Sequence, residues 1–132
     1  MISNVLANRL KSILDGIVIF HYPYPSLPML LGPLKNAIDW ASRPPNVWAD
    51  KAAVIVSAGG GLGGARSQYH LRQIGVFLDL HFINKPEFFL KAFEPPVKFN
   101  DEGDLIDVEA EKSLMLVLSA LCSFTRRLKG QC

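Results

Sequence analysis

Cysteine is scarce in this chain. Cys122 falls on an expected helix and Cys132 is the last residue, and the two form neither a disulfide framework nor a metal-ligand spacing, so both are expected as reduced thiols. Histidine is equally thin. His21, His70 and His81 stand far apart, with no H-x-x-x-H or H-E-x-x-H pair to bring two imidazoles onto one helical face, and no metal centre is expected. Charge of one sign is missing too: 14 Lys and Arg against 12 Asp and Glu leave too small a surplus for the basic footprint of a nucleic-acid or anionic-membrane binder. No apolar run approaches the roughly 20 residues that span a bilayer. The N-terminus shows no basic region followed by an apolar stretch and cleavage site. These absences predict a soluble, cytoplasmic protein without a transmembrane segment or nucleic-acid partner. What the chain does have is 49% hydrophobic residues in 132, enough to build the core of a single domain.

The hydrophobic pattern alternates between two periods. Leu6, Leu10, Ile13 and Leu14 lie at helical spacing, which predicts an amphipathic helix from about Ser3 to Asp15, ended by Gly16. The run GIVIF, Gly16 to Phe20, is continuous, apolar and rich in β-branched residues, the mark of a parallel strand buried on both faces. Pro23, Pro25 and Pro28 then make His21 to Gly32 a loop. Pro33 suits a first helical turn, and Leu34, Ala37, Ile38 and Ala41 form one apolar stripe that Pro44 and Pro45 terminate.

AAVIVS, Ala52 to Ser57, is a second buried-type strand, and a third helix follows its glycine-rich sequel, supported by Leu71, Ile74 and Leu78. Gly75 weakens that helix by roughly 1 kcal/mol, and VFLDL is readable as helix or strand. Glu87 to Leu90 reads as a third strand and Phe93 to Asp107 as an exposed excursion. A long last helix carries Leu114, Val117, Leu118, Leu121 and Leu128 in period, with Glu109 and Glu111 near its start and Arg126, Arg127 and Lys129 near its end, as the helix dipole prefers. This order predicts an α/β fold with a doubly wound parallel sheet in three layers.

Ligands of such sheets bind beyond the carboxyl ends of the strands, here at the loops that start at His21 and Ala58. S-A-G-G-G-L-G-G-A-R places five glycines between a strand and a helix, so backbone amides can approach a flat ligand or a phosphate unobstructed. A strand-to-helix turn whose glycines only relieve strain is the competing account. Gly59, Gly61 and Gly64 also satisfy G-x-G-x-x-G, which opens a Rossmann alternative with Asp79 as the ribose carboxylate, provided VFLDL is a strand. Ala65 and Arg66 stand where a Walker lysine would be, which argues against a nucleotide triphosphatase.

PLKNAIDWASRPPNVW (Pro33 to Trp48) and GGGLGGARSQYHLRQIGVFLDLHFINKPEFF (Gly59 to Phe89) closely resemble the plant NAD(P)H:quinone oxidoreductases of the NADPH-dependent FMN reductase family. The resemblance divides the single domain, residues 1–132, into a divergent part, 1–32, and a family-like part, 33–132. It implies a flavodoxin-like fold, FMN as cofactor, NAD(P)H as cosubstrate and two-electron transfer through the flavin to quinones. It also implies a homo-oligomer and a cytoplasmic protein that sits peripherally at the plasma membrane. Ser57, Ala58, Gly59, Gly60, Gly63 and Gly64 would line the isoalloxazine ring with backbone, and no side chain is required as a catalytic acid or base.

The family's P-E-Y-N loop corresponds here to H-Y-P-Y-P-S. Pro23 matches, and Tyr24 stands in the glutamate's place; both are carried over as flavin contacts. The family's first two strands and its S-x-R-x-x-S-x-N phosphate loop have no counterpart. GIVIF is then expected as an exposed sheet edge that favours self-association or a partner. Losing two phosphate hydrogen bonds would weaken FMN roughly 10² to 10⁴-fold. The second reading is therefore a truncated, non-catalytic relative that acts through oligomer or partner contacts alone. Among the other residues, Trp40 and Trp48 are expected to pack the Arg43–Pro45 turn against the helix or to lie in a subunit contact. Tyr69, His70 and Arg72 are expected on a solvated helix face or within reach of an NADPH phosphate.

Overall fold

The computed structural model describes residues 16–21 and 32–130. The expected helix from Ser3 to Asp15 lies outside these residues. The described chain runs β1 (Gly16–His21), α1 (Gly32–Ala41), β2 (Lys51–Gly59), α2 (Ala65–Phe77), β3 (Leu80–Phe82), β4 (Phe88–Lys91) and α3 (Val108–Leu128).

All strand pairings are parallel and all involve β2. On one side β1 pairs along Gly16–His21 with Ala52–Ser57. On the other side β3 pairs with Lys51–Ala53 and β4 with Val56–Gly59, so the two short strands share one lane. The register shifts by three residues between them, and the connection Ile83–Glu87 takes up the excess. β3 is an element that the sequence reading does not contain, because three residues are too few to show a period.

β2 is buried along most of its length and its side chains alternate between two cores. Ala52, Val54 and Val56 join Ile83, Phe88, Leu90, Val117 and Leu121 beneath α3. Ala53 and Ile55 join Ile38, Leu71, Leu78 and Leu80 beneath α1 and α2. A two-residue strand period thus serves both helical layers, and the result is a three-layer α/β domain. Leu71 and Leu121 are among the fully buried side chains, positions where truncation to Ala typically costs about 2–5 kcal/mol.

VFLDL resolves as neither of its two alternatives throughout. Val76 and Phe77 close α2, Leu78 caps it, and Leu80 opens β3. Gly75 has a packing reason: a Cβ there would lie 2.0 Å from Cε2 of Phe82, so the missing side chain makes room for the ring. The excursion after β4 is mostly exposed, as expected, but it is anchored at two points. Phe99 and Leu105 form an antiparallel bridge and pack against the α3-side core. Asp107 caps α3 by accepting from the Ala110 amide at 2.7 Å, and Lys98 donates to the same carboxylate. The Lys98 hydrogen bond, reinforced by that amide, holds the Asp107 carboxyl below its ordinary range.

Candidate functional site

The carboxyl end of β2 runs directly into the glycine loop. Gly59 still belongs to the sheet, its carbonyl accepting from the Ala92 amide at 2.8 Å. The next residues make two turns, with the Gly63 amide donating to the Gly60 carbonyl at 2.7 Å and the Ala65 amide to the Leu62 carbonyl at 3.0 Å. Gly63 and Gly64 have φ of +56° and +84°, conformations that cost a residue with a Cβ roughly 1–2 kcal/mol. A Cβ at Gly63 would also stand 2.7 Å from the carbonyl carbon of Phe89, so the loop rests directly on the backbone of β4.

A buried chain of hydrogen bonds fixes that contact from inside. The Ser57 hydroxyl donates to the Gly63 carbonyl at 2.6 Å. Gln68, in the first turn and a half of α2, donates through Nε2 to Ser57 Oγ and to the Phe88 carbonyl, both at 2.8 Å. Ser57 and Gln68 are 3% and 1% exposed, which keeps water from competing. Among the described residues Gln68 Oε1 has no hydrogen-bond partner.

Outward, at Gly60, none of the described residues covers the loop. A Cβ at Gly60 would meet nothing within 4 Å, and one at Gly61 would lie 4.0 Å from Glu94 Oε1. That carboxylate is paired with Lys91 at 3.1 Å. The N-cap of α2 is Gly64, which offers no side-chain cap, and the amino end of this 13-residue helix, the positive end of its dipole, lies at the loop. The site therefore presents open glycine surface beside the amino end of α2.

The structure gathers Ser57, Ala58, Gly59, Gly60, Gly63 and Gly64 at one end of β2, and within that group Ser57 and Gly63 turn their polar atoms into the fold. Pro23 and Tyr24 lie outside the described residues. Asp79 sits before β3, at the amino end of the sheet opposite the glycines, and has φ +62°, so the Rossmann alternative loses its carboxylate at a strand terminus. Tyr69 is exposed and meets the Phe89 ring edge-on, at 6.4 Å between centroids. Arg72 is half-buried; it donates to the Ile83 carbonyl at 3.0 Å and lies over the Phe82 ring. Trp48 packs into the α1/α2 core as expected, whereas Trp40 is 72% exposed with Arg43 over its ring. The role of Gln68 went unread in the sequence, where a lone glutamine on a helix gives no signal of a partner eleven residues upstream.

Among the described residues no cluster of His, Cys, Asp and Glu is arranged to hold a metal ion. No described helix is long and apolar enough to cross a membrane.

Residues 29–94, half of the chain, match the family model described as NADPH-dependent FMN reductase. The chain belongs to this family. Over 103 residues it is 71% identical to an NAD(P)H:quinone oxidoreductase of Solanum tuberosum, covering 78% of this chain and 53% of that protein. Over 99 residues it is 70% identical to an NADPH:quinone oxidoreductase of Arabidopsis thaliana, covering 75% and 50%. The chain thus spans about half the length of these FMN reductase family members. Among solved structures it resembles FerB, a flavoenzyme NAD(P)H:(acceptor) oxidoreductase from Paracoccus denitrificans, with a TM-score of 0.68 at 24% identity over 91% of this chain and 67% of that one. That likeness establishes the flavodoxin-like α/β fold. The glycine loop lies wholly within the segment matched by the FMN reductase family model.

Proposed function

We propose that this chain provides the ring-facing half of an FMN-dependent NAD(P)H:quinone oxidoreductase. The observation that carries the reading is the 71% identity to a protein of that name across the stretch that contains the whole glycine loop. The open backbone at Gly60 supports it independently, since a flat ring needs approach without side chains.

Bound FMN would supply the two-electron chemistry, accepting a hydride from NAD(P)H and passing it to a quinone. The chain's own task is placement. The backbone of Ser57, Ala58, Gly59, Gly60, Gly63 and Gly64 would border the ring, and the amino end of α2 would offer the positive end of a helix dipole to negative charge gathering there. No side chain of the loop is needed as an acid or base. Apolar side chains stand exposed on the α1/α2 layer, with Val76 77% and Phe77 85% accessible besides Trp40. This face is the proposed contact for a homo-oligomer.

The test is to add FMN to the purified chain, gel-filter it and record the visible spectrum of the protein peak. The reading expects retained flavin absorbance and NAD(P)H-dependent quinone reduction in that fraction. A folded peak without flavin or activity would reject it and leave the non-catalytic account, in which the chain acts through oligomer or partner contacts.

A further inference from the structure

The geometry points to Gln68 as the positioning residue of the glycine loop: through Ser57 it fixes the Gly63 carbonyl, and thereby the exposed backbone at Gly60 that would meet the flavin. The flavin part of this inference rests on the function proposed above.

The hydrogen-bond directions leave little freedom. Gln68 Nε2 has two protons, and its two acceptors, Ser57 Oγ and the Phe88 carbonyl, each lie at 2.8 Å. Because Ser57 Oγ receives one of these protons, its own single proton is directed at the Gly63 carbonyl, 2.6 Å away. Gly63 in turn donates its amide to the Gly60 carbonyl at 2.7 Å, so the turn holding Gly60 hangs from the residue that the clamp secures. Gly63 cannot retreat on its other side, where the Phe89 and Leu90 backbone closes to within 3.0 Å of a Cβ position. One side chain on α2 therefore ties together the end of β2, the loop and the first residue of β4. It does so at 1% exposure and without touching the open surface.

A clamp of this kind is distinct from a core residue that merely adds stability. Its loss should loosen one short segment and alter what that segment binds, and it should act through Ser57 rather than beside it. The experiment uses the full chain with Ser57→Ala, Gln68→Leu and the double variant. It measures hydrogen–deuterium exchange of the segment 59–64 against a reference segment in α3, and FMN affinity by fluorescence quenching. The inference expects loop exchange to rise about tenfold relative to α3 in each single variant, the size expected from one orphaned buried donor or acceptor. The double variant should exceed the larger single effect by little. FMN affinity should fall about tenfold in parallel. Gln68→Glu, equal in size but without the two protons, replaces Gln68→Leu if the latter does not fold. Unchanged loop exchange, additive effects in the double variant, or unaltered FMN affinity despite a loosened loop would each overturn the inference. If the unaltered chain binds no FMN, the flavin reading falls, and the exchange and additivity results alone decide whether Gln68 positions the loop.

Discussion

At the carboxyl end of β2 the left-handed backbone positions are glycines, Gly63 and Gly64; at its amino end they are aspartates, Asp50 and Asp79. The two ends solve the same turning problem by different chemistry. Glycine takes positive φ without strain and lets a second backbone close in, which is how the loop comes to rest on Phe89. Aspartate takes it at a cost and needs local bonds to offset that cost. The Asp50 amide donates to the Asp79 carbonyl at 2.9 Å, the Asp50 carboxylate meets His81 Nε2 at 2.9 Å, and Asn46 donates to the Leu78 carbonyl at 3.1 Å. One end is a joint of side chains that fills its own surface. The other rests backbone on backbone, held from inside by Ser57 and Gln68, and among the described residues nothing lies within 4 Å of a Cβ position at its Gly60.

Substitution at Gly63 should break the comparison most severely. Gly63→Ala combines positive φ with a Cβ 2.7 Å from the Phe89 backbone, where no flexible side chain can yield. Strain and overlap together should lower stability by about 3 kcal/mol or more, read as a shift of the urea midpoint at constant slope. A loss below about 1 kcal/mol would mean that the loop can lift off β4. At the amino end the counterpart is Asn46→Ala. It removes the donor to the Leu78 carbonyl and the acceptor that Asn46 Oδ1 offers the Trp48 amide, and should cost about 1 kcal/mol by the same denaturation measurement.

How much of this was legible in sequence follows the same division. β2 and α3 announced themselves, because a continuous AAVIVS run and a helical period from Leu114 to Leu128 with acidic and basic flanks leave few alternatives. The glycine loop was placed correctly at the carboxyl end of a strand. What stayed hidden was whatever depends on contact across the chain. β3 is three residues long and is defined by its pairing with Lys51–Ala53. Gly75 reads as a helix weakness until Phe82 is seen lying against it. Gln68 is an ordinary polar residue in sequence, and its meaning lies in Ser57 and Phe88, eleven and twenty positions away. The aspartates at positive φ could not be read either, since Asp79 takes that conformation in the tight passage between α2 and β3 and Asp50 in the turn that leads into β2.

Asp79→Gly sharpens the comparison with a smaller effect of opposite sign. Glycine removes the left-handed penalty at φ +62°, while the more flexible unfolded chain offsets part of the gain. Stability should rise by about 0.5 kcal/mol, detected as a higher thermal midpoint, and FMN retention should be unaffected because the site lies at the other end of the sheet. A fall in stability would show that the Asp79 side chain does more at this joint than its backbone position indicates.

The smallest effect on stability belongs to Gly60→Ala. Gly60 shares a loop with Gly63, yet a Cβ there would meet no atom within 4 Å, and its φ does not lie in the left-handed range. Folding should therefore change by less than about 0.5 kcal/mol. Function is where this substitution should register, because a methyl group on the open side would stand between the backbone and a flat ring. FMN affinity, measured by fluorescence quenching, should drop while the urea midpoint stays in place. If both remain unchanged, the exposed backbone at Gly60 is not the ring's contact, and the open half of the loop, Gly60 to Leu62, has no part in holding the flavin. If affinity falls and stability holds, two glycines three residues apart are separated by role: Gly63 is required by the fold, and Gly60 by what the fold is built to receive.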